Sequence, residues 1–268
     1  MPQQRATVSL ASAGRSVPLN RYVALLLVCA TLAIGVAPAH GARAADAPAG
    51  NSAFLRTWAR TDKAVADQRT SRTWMWGPQA NTPLLLEPYR ESPNGLRVVQ
   101  YFDKSRMEIT QPSGDPATPW YVTNGLLATE LITGRMQVGD ASFQQRAPAE
   151  VNVAGDADDP HGPTYATFSR LPAGAAPGAE AVVTRGLRRD GSVFNDERFA
   201  QYAIGTTHFT AETGYWIATP FWEFMNSSGL VYASGFYSTA ALFENPYYAT
   251  GFPISAAYWA ASASIAVA

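Results

Sequence analysis

The chain of 268 residues contains a single cysteine, Cys29, and only three histidines. One thiol closes no intrachain disulfide, and a thiolate metal centre needs several, so both are excluded. Charge is sparse as well. Asp, Glu, Lys and Arg make up 15% of the sequence, the formal net charge is −1, and no block of one sign stands out. The basic footprint of a nucleic-acid binder is therefore missing. So is a G-x-S-x-G nucleophile elbow; Ser227-Ser228-Gly229 reads instead as the end of a helix.

What the N-terminus does hold is a targeting pattern. Arg5, Arg15 and Arg21 precede the uncharged run YVALLLVCATLAIGVAPA, and GARAADA follows it. A positive flank, an apolar stretch and small residues at Ala42 and Ala44 predict a secretory signal peptide over residues 1–44, with Ala37 and Ala39 as a second cleavage option. The other reading is a retained membrane anchor, because the run approaches the length of a spanning helix. Cleavage after Ala44 takes Cys29 with it. It also takes four of the 20 basic residues, leaving 16 against 21 acidic ones. An exported domain without disulfides must be held by its own core.

Three regions follow. Residues 45–150 form a first strand-rich unit, 151–205 a Pro/Gly/Asp-rich connecting region with a hairpin, and 206–268 a second unit. In the first, Ser52 is the expected cap of a helix whose apolar face carries Phe54, Leu55 and Trp58. RTWMWGP (72–78) reads as a strand, Asn94-Gly95 as a turn, LRVVQYFDKSRMEI as two short strands, and TNGLLATELITG as a helix ending at Gly134. In the middle, TYATF (164–168) reads as a strand, Asp190-Gly191 as a hairpin turn, and Asn195 or Asp196 as the cap of a short helix through Tyr202. In the last unit, Thr219 is the expected cap of a helix with Pro220 at its first position and Gly229 at its end, and Ser234-Gly235 marks a further hairpin. Laying AFLRTWARTD over PFWEFMNSSG sets Phe54 on Phe221, Leu55 on Trp222 and Trp58 on Met225, and each helix precedes a Gly/Pro turn beside aromatics, Trp76-Gly77-Pro78 or Gly251-Phe252-Pro253. This is a degenerate internal repeat.

The aromatic helix, the hairpin and TGFPISAAYW resemble the LGFP-type repeats of secreted bacterial envelope proteins, with Thr250 in place of the motif leucine and Ala256 or Ala257 where an acidic residue is expected. VVQYFDKSRMEI and VTNGLLATELI are similar to a strand-rich continuation in secreted proteins of Chloroflexi-type bacteria, with Gln100-Tyr101-Phe102 and Gly125-Leu126-Leu127 in the matching places. The resemblance implies association with the cell wall or envelope and names no catalytic residue. It also leads one to expect a further strand pair beyond AAYWAASASIAVA.

For chemistry the residues offer little. His208 and Glu212 would share a helix face but have no third metal ligand at a recognisable spacing. Asp156, Asp158 and Asp159 are candidate calcium ligands, against the alternative of a hydrated loop, and their spacing is not that of an EF-hand. The glutamates are scattered, so no carboxylate pair for a glycosidase is placed. The aromatics are the richest class: seven Trp, 12 Tyr and 12 Phe. Trp and Tyr offer flat apolar faces with a polar edge, suited to stacking on sugar rings as well as to filling a core. Trp76 and Trp259, each beside a turn, are the candidates for exposure, with Trp74 and Tyr258 as further ligand-binding candidates.

The sequence thus predicts an α+β protein of two small strand-rich, repeat-like units, each opened by a short aromatic helix, after a signal peptide. Its expected role is non-enzymatic binding or anchoring at the cell envelope, on cell-wall polysaccharide or peptidoglycan, with no cofactor and no nucleic-acid partner. An envelope glycan hydrolase and a protein-interaction module of a secreted assembly are the alternatives.

Overall fold

A computed structural model describes residues 50–103, 105–124, 126–171 and 177–260, all within the unit Asp46–Ala268. The expected signal peptide, Lys104, Gly125 and the tail after Ala260 lie outside the described residues.

Helix α1 (Ser52–Ala66) starts where the Asn51 side chain accepts hydrogen bonds from the backbone N–H groups of Ala53 and Phe54. Asn51, not Ser52, is therefore the cap. Phe54 and Trp58, four residues apart, lie on one face and enter a core with Trp76, Phe102, Met107, Ile109 and Val122. Arg72–Pro78 is not a strand. Its backbone N–H groups at Met75, Trp76 and Gly77 are taken up by the buried carboxylate of Asp62 on α1, so no ladder partner is needed.

Strands β1 (Leu85–Pro88), β2 (Leu96–Tyr101) and β3 (Arg106–Ile109) make an antiparallel sheet in that order. Asn94 and Gly95 turn the chain between β1 and β2 with φ of 57° and 71°. Strand alternation splits β3 into two faces. Met107 and Ile109 join the core with α1, while Arg106 and Glu108 point the other way, and all four are buried. That second face is sealed by α2 (Leu127–Thr133) and by the hairpin of β4 (Arg135–Gly139) and β5 (Ser142–Gln145) through polar bonds described below. Helix α2 ends as expected at Gly134, which has φ of 70°.

TYATF forms a helix, α3 (Tyr165–Ser169), rather than a strand. Thr164 and Thr167 exchange hydrogen bonds as a capping box, which outweighs the β-propensity of a five-residue run. Strands β6 (Arg185–Leu187) and β7 (Val193–Asn195) form the hairpin around Asp190-Gly191, and Asp196 caps a 3-10 turn, Glu197–Tyr202. Strands β8 (Thr206–Thr210) and β9 (Tyr215–Ala218) pair next. Helix α4 (Thr219–Met225) carries Pro220 in its first turn, but the Thr219 hydroxyl donates to the Gly205 carbonyl instead of capping. Gly229 is not its stop; it lies within β10 (Ser228–Ala233), which pairs with β11 (Phe236–Ala241) across Ser234-Gly235. A short β12 (Trp259–Ala260) runs parallel to β6.

Short helices among small, mostly antiparallel sheets make this an α+β chain. Helix α1 packs against β10, and Arg60 and Arg72 donate to carbonyls of Ala241, Leu242 and Leu230, so the first helix and the last hairpin share a core. Of the overlaid helix positions, Trp58 and Met225 are both buried, whereas Phe54 is buried and Phe221 is 65% exposed.

Candidate functional site

The residues nominated from sequence fall in different places. Trp76 is not exposed. It is 1% accessible, because the Asp62 carboxylate draws its backbone down onto α1 and sets the indole in the core. Trp74 is partly buried and stacks on Trp58 at 6.4 Å. Trp259 is half-buried, lies within 5.0 Å and 5.1 Å of the Phe199 and Tyr202 rings, and donates its indole N–H to the Val183 carbonyl at 2.7 Å. Tyr258 is also half-buried, beside Arg185.

In the Asp156–Asp159 loop, the carbonyls of Asp156 and Asp159 accept from the Asn152 amide, and the Asp159 carbonyl also accepts from Arg189. The Asp159 carboxylate accepts from the His161 N–H. Two backbone carbonyls and the Asp159 carboxylate of this loop are thus engaged within the chain. Among the described residues no three His, Cys, Asp or Glu side chains converge as a metal site. His208 sits on a strand and stacks flat on Trp222 at 3.7 Å, so the helical pairing with Glu212 does not form.

Three further arrangements emerge that the sequence did not reveal. The first is ionic. Arg106 donates to Glu108 at 2.6 Å and to both carboxylate oxygens of Glu130 at 2.8 Å and 3.0 Å, while Arg97 donates to the second oxygen of Glu108 at 2.8 Å and to the Gln137 carbonyl. Tyr101 donates its hydroxyl to Glu87 at 2.7 Å. Burial pushes the Glu108 carboxyl up, against the lowering pull of the two guanidinium groups. Burial alone would lower the Arg106 pKa, but the hydrogen bonds and charges of Glu130 and Glu108 reverse this, and the net direction is upward. Every carboxylate here is matched by a guanidinium or hydroxyl, and the array is sealed between the sheet and α2. It is a structural tie.

The second is a cavity of about 240 Å³ lined by residues of α1, the Pro119–Tyr121 turn and the β10–β11 hairpin. Arg56, Arg60 and Glu244 supply its charged groups, and Tyr248, Val122 and Leu242 supply apolar wall. The third is a chain of ring contacts from β8 across α4 to the Gly-Phe-Pro turn. Trp222 lies on His208, Tyr247 is 6.0 Å from Trp222, and Phe252 is 4.6 Å from Tyr247. Gly251 adopts φ of 66° at that turn, and Phe252 is 43% exposed.

The i, i+4 spacing of Arg56 and Arg60 was a readable signal of a shared helix face. The ring chain had none, because its members are brought together from three separate elements. Comparison of the chain with protein-family models, with curated proteins and with solved structures returned no match. Among the described residues, no helix is long and apolar enough to cross a membrane.

Proposed function

We propose that the protein is a non-catalytic binding module of the bacterial cell envelope, which takes cell-wall polysaccharide or peptidoglycan glycan on the ring chain His208–Trp222–Tyr247–Phe252. The observation that carries this reading is the run of partly exposed rings in contact beside the Gly251-Phe252-Pro253 turn. Flat rings with polar edges stack on the C–H faces of sugars. Successive rings tilt by 51° and 57°, so they do not share one flat surface, and a twisted soluble chain suits them better than a crystalline one. The Arg-flanked apolar N-terminus supports export to the compartment where such glycans lie.

A hydrolase would need two carboxylates facing a cleft. Glu108 and Glu130 do approach a common point, but both are buried and share Arg106, and the cavity is lined by one carboxylate, Glu244, which pairs with Arg60 at 3.4 Å. The test is co-sedimentation of the purified protein with bacterial cell walls, with soluble sugar measured in the same tubes. Pelleting without sugar release is the expected result. Phe252→Ala and Trp222→Ala should each weaken it roughly 2- to 10-fold, the worth of one aromatic contact. Sugar release would replace this reading with the hydrolase, and no pelleting would overturn it.

A further inference from the structure

The sequence holds two Asp–Pro bonds, Asp115–Pro116 and Asp159–Pro160, and the fold treats them differently. An Asp–Pro bond is weak for a chemical reason. The carboxylate can close a five-membered ring on its own backbone carbonyl carbon, and the proline nitrogen it would expel is a basic secondary amine. In both residues one carboxylate oxygen accepts from the backbone N–H two positions on, Asp115 from Ala117 at 2.9 Å and Asp159 from His161 at 2.8 Å. The nucleophile is thus held alike in the two. The carbonyls are not. That of Asp115, on the exposed surface, accepts from the Thr118 N–H at 3.3 Å. That of Asp159, a residue 7% exposed, accepts from Nδ2 of Asn152 at 2.8 Å and from Nη1 of Arg189 at 3.4 Å.

These two donors are themselves fixed. Nη1 of Arg189 also donates to Oδ1 of Asn152 at 2.8 Å and to the Gly162 carbonyl at 2.9 Å, and the Asn152 amide also donates to the Asp156 carbonyl at 2.9 Å. Arg189, in the turn between β6 and β7, thereby orients the Asn152 amide so that its N–H groups point at the loop carbonyls. An amide and a guanidinium converging on one carbonyl oxygen favour the negative charge that gathers there when its carbon is attacked. Pro160 and His161 are exposed, so water and protons reach the nitrogen that would depart. Among the described residues, the Asp115 carbonyl meets no charged donor.

We propose that the protein cleaves itself at Asp159–Pro160. A carboxylate oxygen of Asp159 attacks the Asp159 carbonyl carbon, and Asn152 and Arg189 hold the oxyanion that forms. The oxyanion then collapses. The bond from that carbon to the Pro160 nitrogen breaks, the nitrogen keeps the electron pair and takes a proton from solvent, and a cyclic anhydride is left on Asp159. One water opens the anhydride, so the products are a C-terminal Asp159 and an N-terminal Pro160, with nothing oxidised or reduced. The two pieces stay together, because α1 before the cut packs on β10 after it, and Arg60 and Arg72 donate across to the Leu242 and Leu230 carbonyls. The bond is separate from the ring chain that carries the proposed envelope binding, and either can fail without the other.

The test is incubation of the purified, folded protein in mildly acidic buffer over several days, with fragments identified by denaturing mass spectrometry. Cleavage after Asp159 should outpace cleavage after Asp115 at least about ten-fold, since one well-placed oxyanion donor is worth that or more. In guanidinium chloride the loop is gone, and the two bonds should cleave at similar rates. Asp159→Asn keeps an acceptor for the His161 N–H but lacks the carboxylate, and should abolish cleavage there. Arg189→Met, checked for folding by circular dichroism, should slow it about ten-fold or more. The cleaved protein should still elute as one particle in size exclusion. Equal rates at the two bonds of the folded protein, or an intact Asp159–Pro160 bond, would overturn the proposal, as would undiminished cleavage in Asp159→Asn. Undiminished cleavage in folded Arg189→Met would overturn its role at the oxyanion, and fragments that elute apart would overturn the two-chain product.

Discussion

Single side chains do much of the folding here. Asp62 is fully buried and gathers the N–H groups of Met75, Trp76 and Gly77 at 2.8 Å, 2.7 Å and 3.1 Å. Burial pushes its carboxyl upward, and the three donors only partly offset that. Asp62→Asn keeps the size but offers one acceptor oxygen and turns an N–H group on the others. It should lose about 1–3 kcal/mol in urea unfolding, with faster hydrogen exchange at Trp76. Tyr89 sets a different test. It is buried, donates its hydroxyl to Asp140 at 2.7 Å, and its pKa is pushed up to about 12 by burial and by that acceptor. A raised pKa means that the neutral phenol is favoured in the folded chain. Its contribution is present in full below the unfolded value near 10 and is lost as pH climbs from there to about 12. Tyr89→Phe cannot ionise. After a constant offset for the lost hydrogen bond, its stability should fall about 1–2 kcal/mol less than that of the parent across this window, as read by unfolding at stepped pH.

Among the elements, the hairpins were the most legible. Asn94-Gly95, Asp190-Gly191 and Ser234-Gly235 each place residues with positive φ at a tight turn, and the strands on either side follow from that local chemistry. Helix α2 was legible for the same reason, since only glycine meets no penalty at its left-handed end. That end is also crowded: a Cβ on Gly134 would lie 2.1 Å from the Arg146 carbonyl oxygen, where the chain leaving β5 returns. Gly134→Ala should therefore cost more than the ~1 kcal/mol of a left-handed alanine, about 2–4 kcal/mol in all, and lower the thermal midpoint by several degrees. If it cost under 1 kcal/mol, the close approach of the two segments would be wrong. What could not be read was set at a distance or at a competing cap. Residues 72–78 look like a strand, yet their partner is a carboxylate on α1. TYATF has strand propensity that the Thr164–Thr167 box overrides.

At the scale of the whole molecule, composition drew attention to the aromatics without telling buried rings from exposed ones. Trp76 stands beside a turn, as Phe252 does, yet one is buried and the other exposed, and the difference lies in Asp62 rather than in neighbouring sequence. The Arg106-Met107-Glu108-Ile109 alternation was visible as well, but it reads as a sheet with one wet face. Only α2 and the β4–β5 hairpin, closing over that face, convert it to a sheet buried on both sides. The array then becomes the tie between the sheet and α2, and this can be tested. Arg106→Met removes the cation shared by Glu108 and Glu130 and leaves two buried carboxylates short of a partner. Breaking a buried pair from one side costs about 3–5 kcal/mol, whereas replacing both sides by apolar groups is often near neutral. Arg106→Met should therefore be severely destabilised in chemical denaturation, and adding Glu130→Leu should restore part of the loss rather than deepen it. Additive losses in the double variant would mean that the two side chains stabilise the chain independently, and that α2 is held to the sheet by something other than this pair.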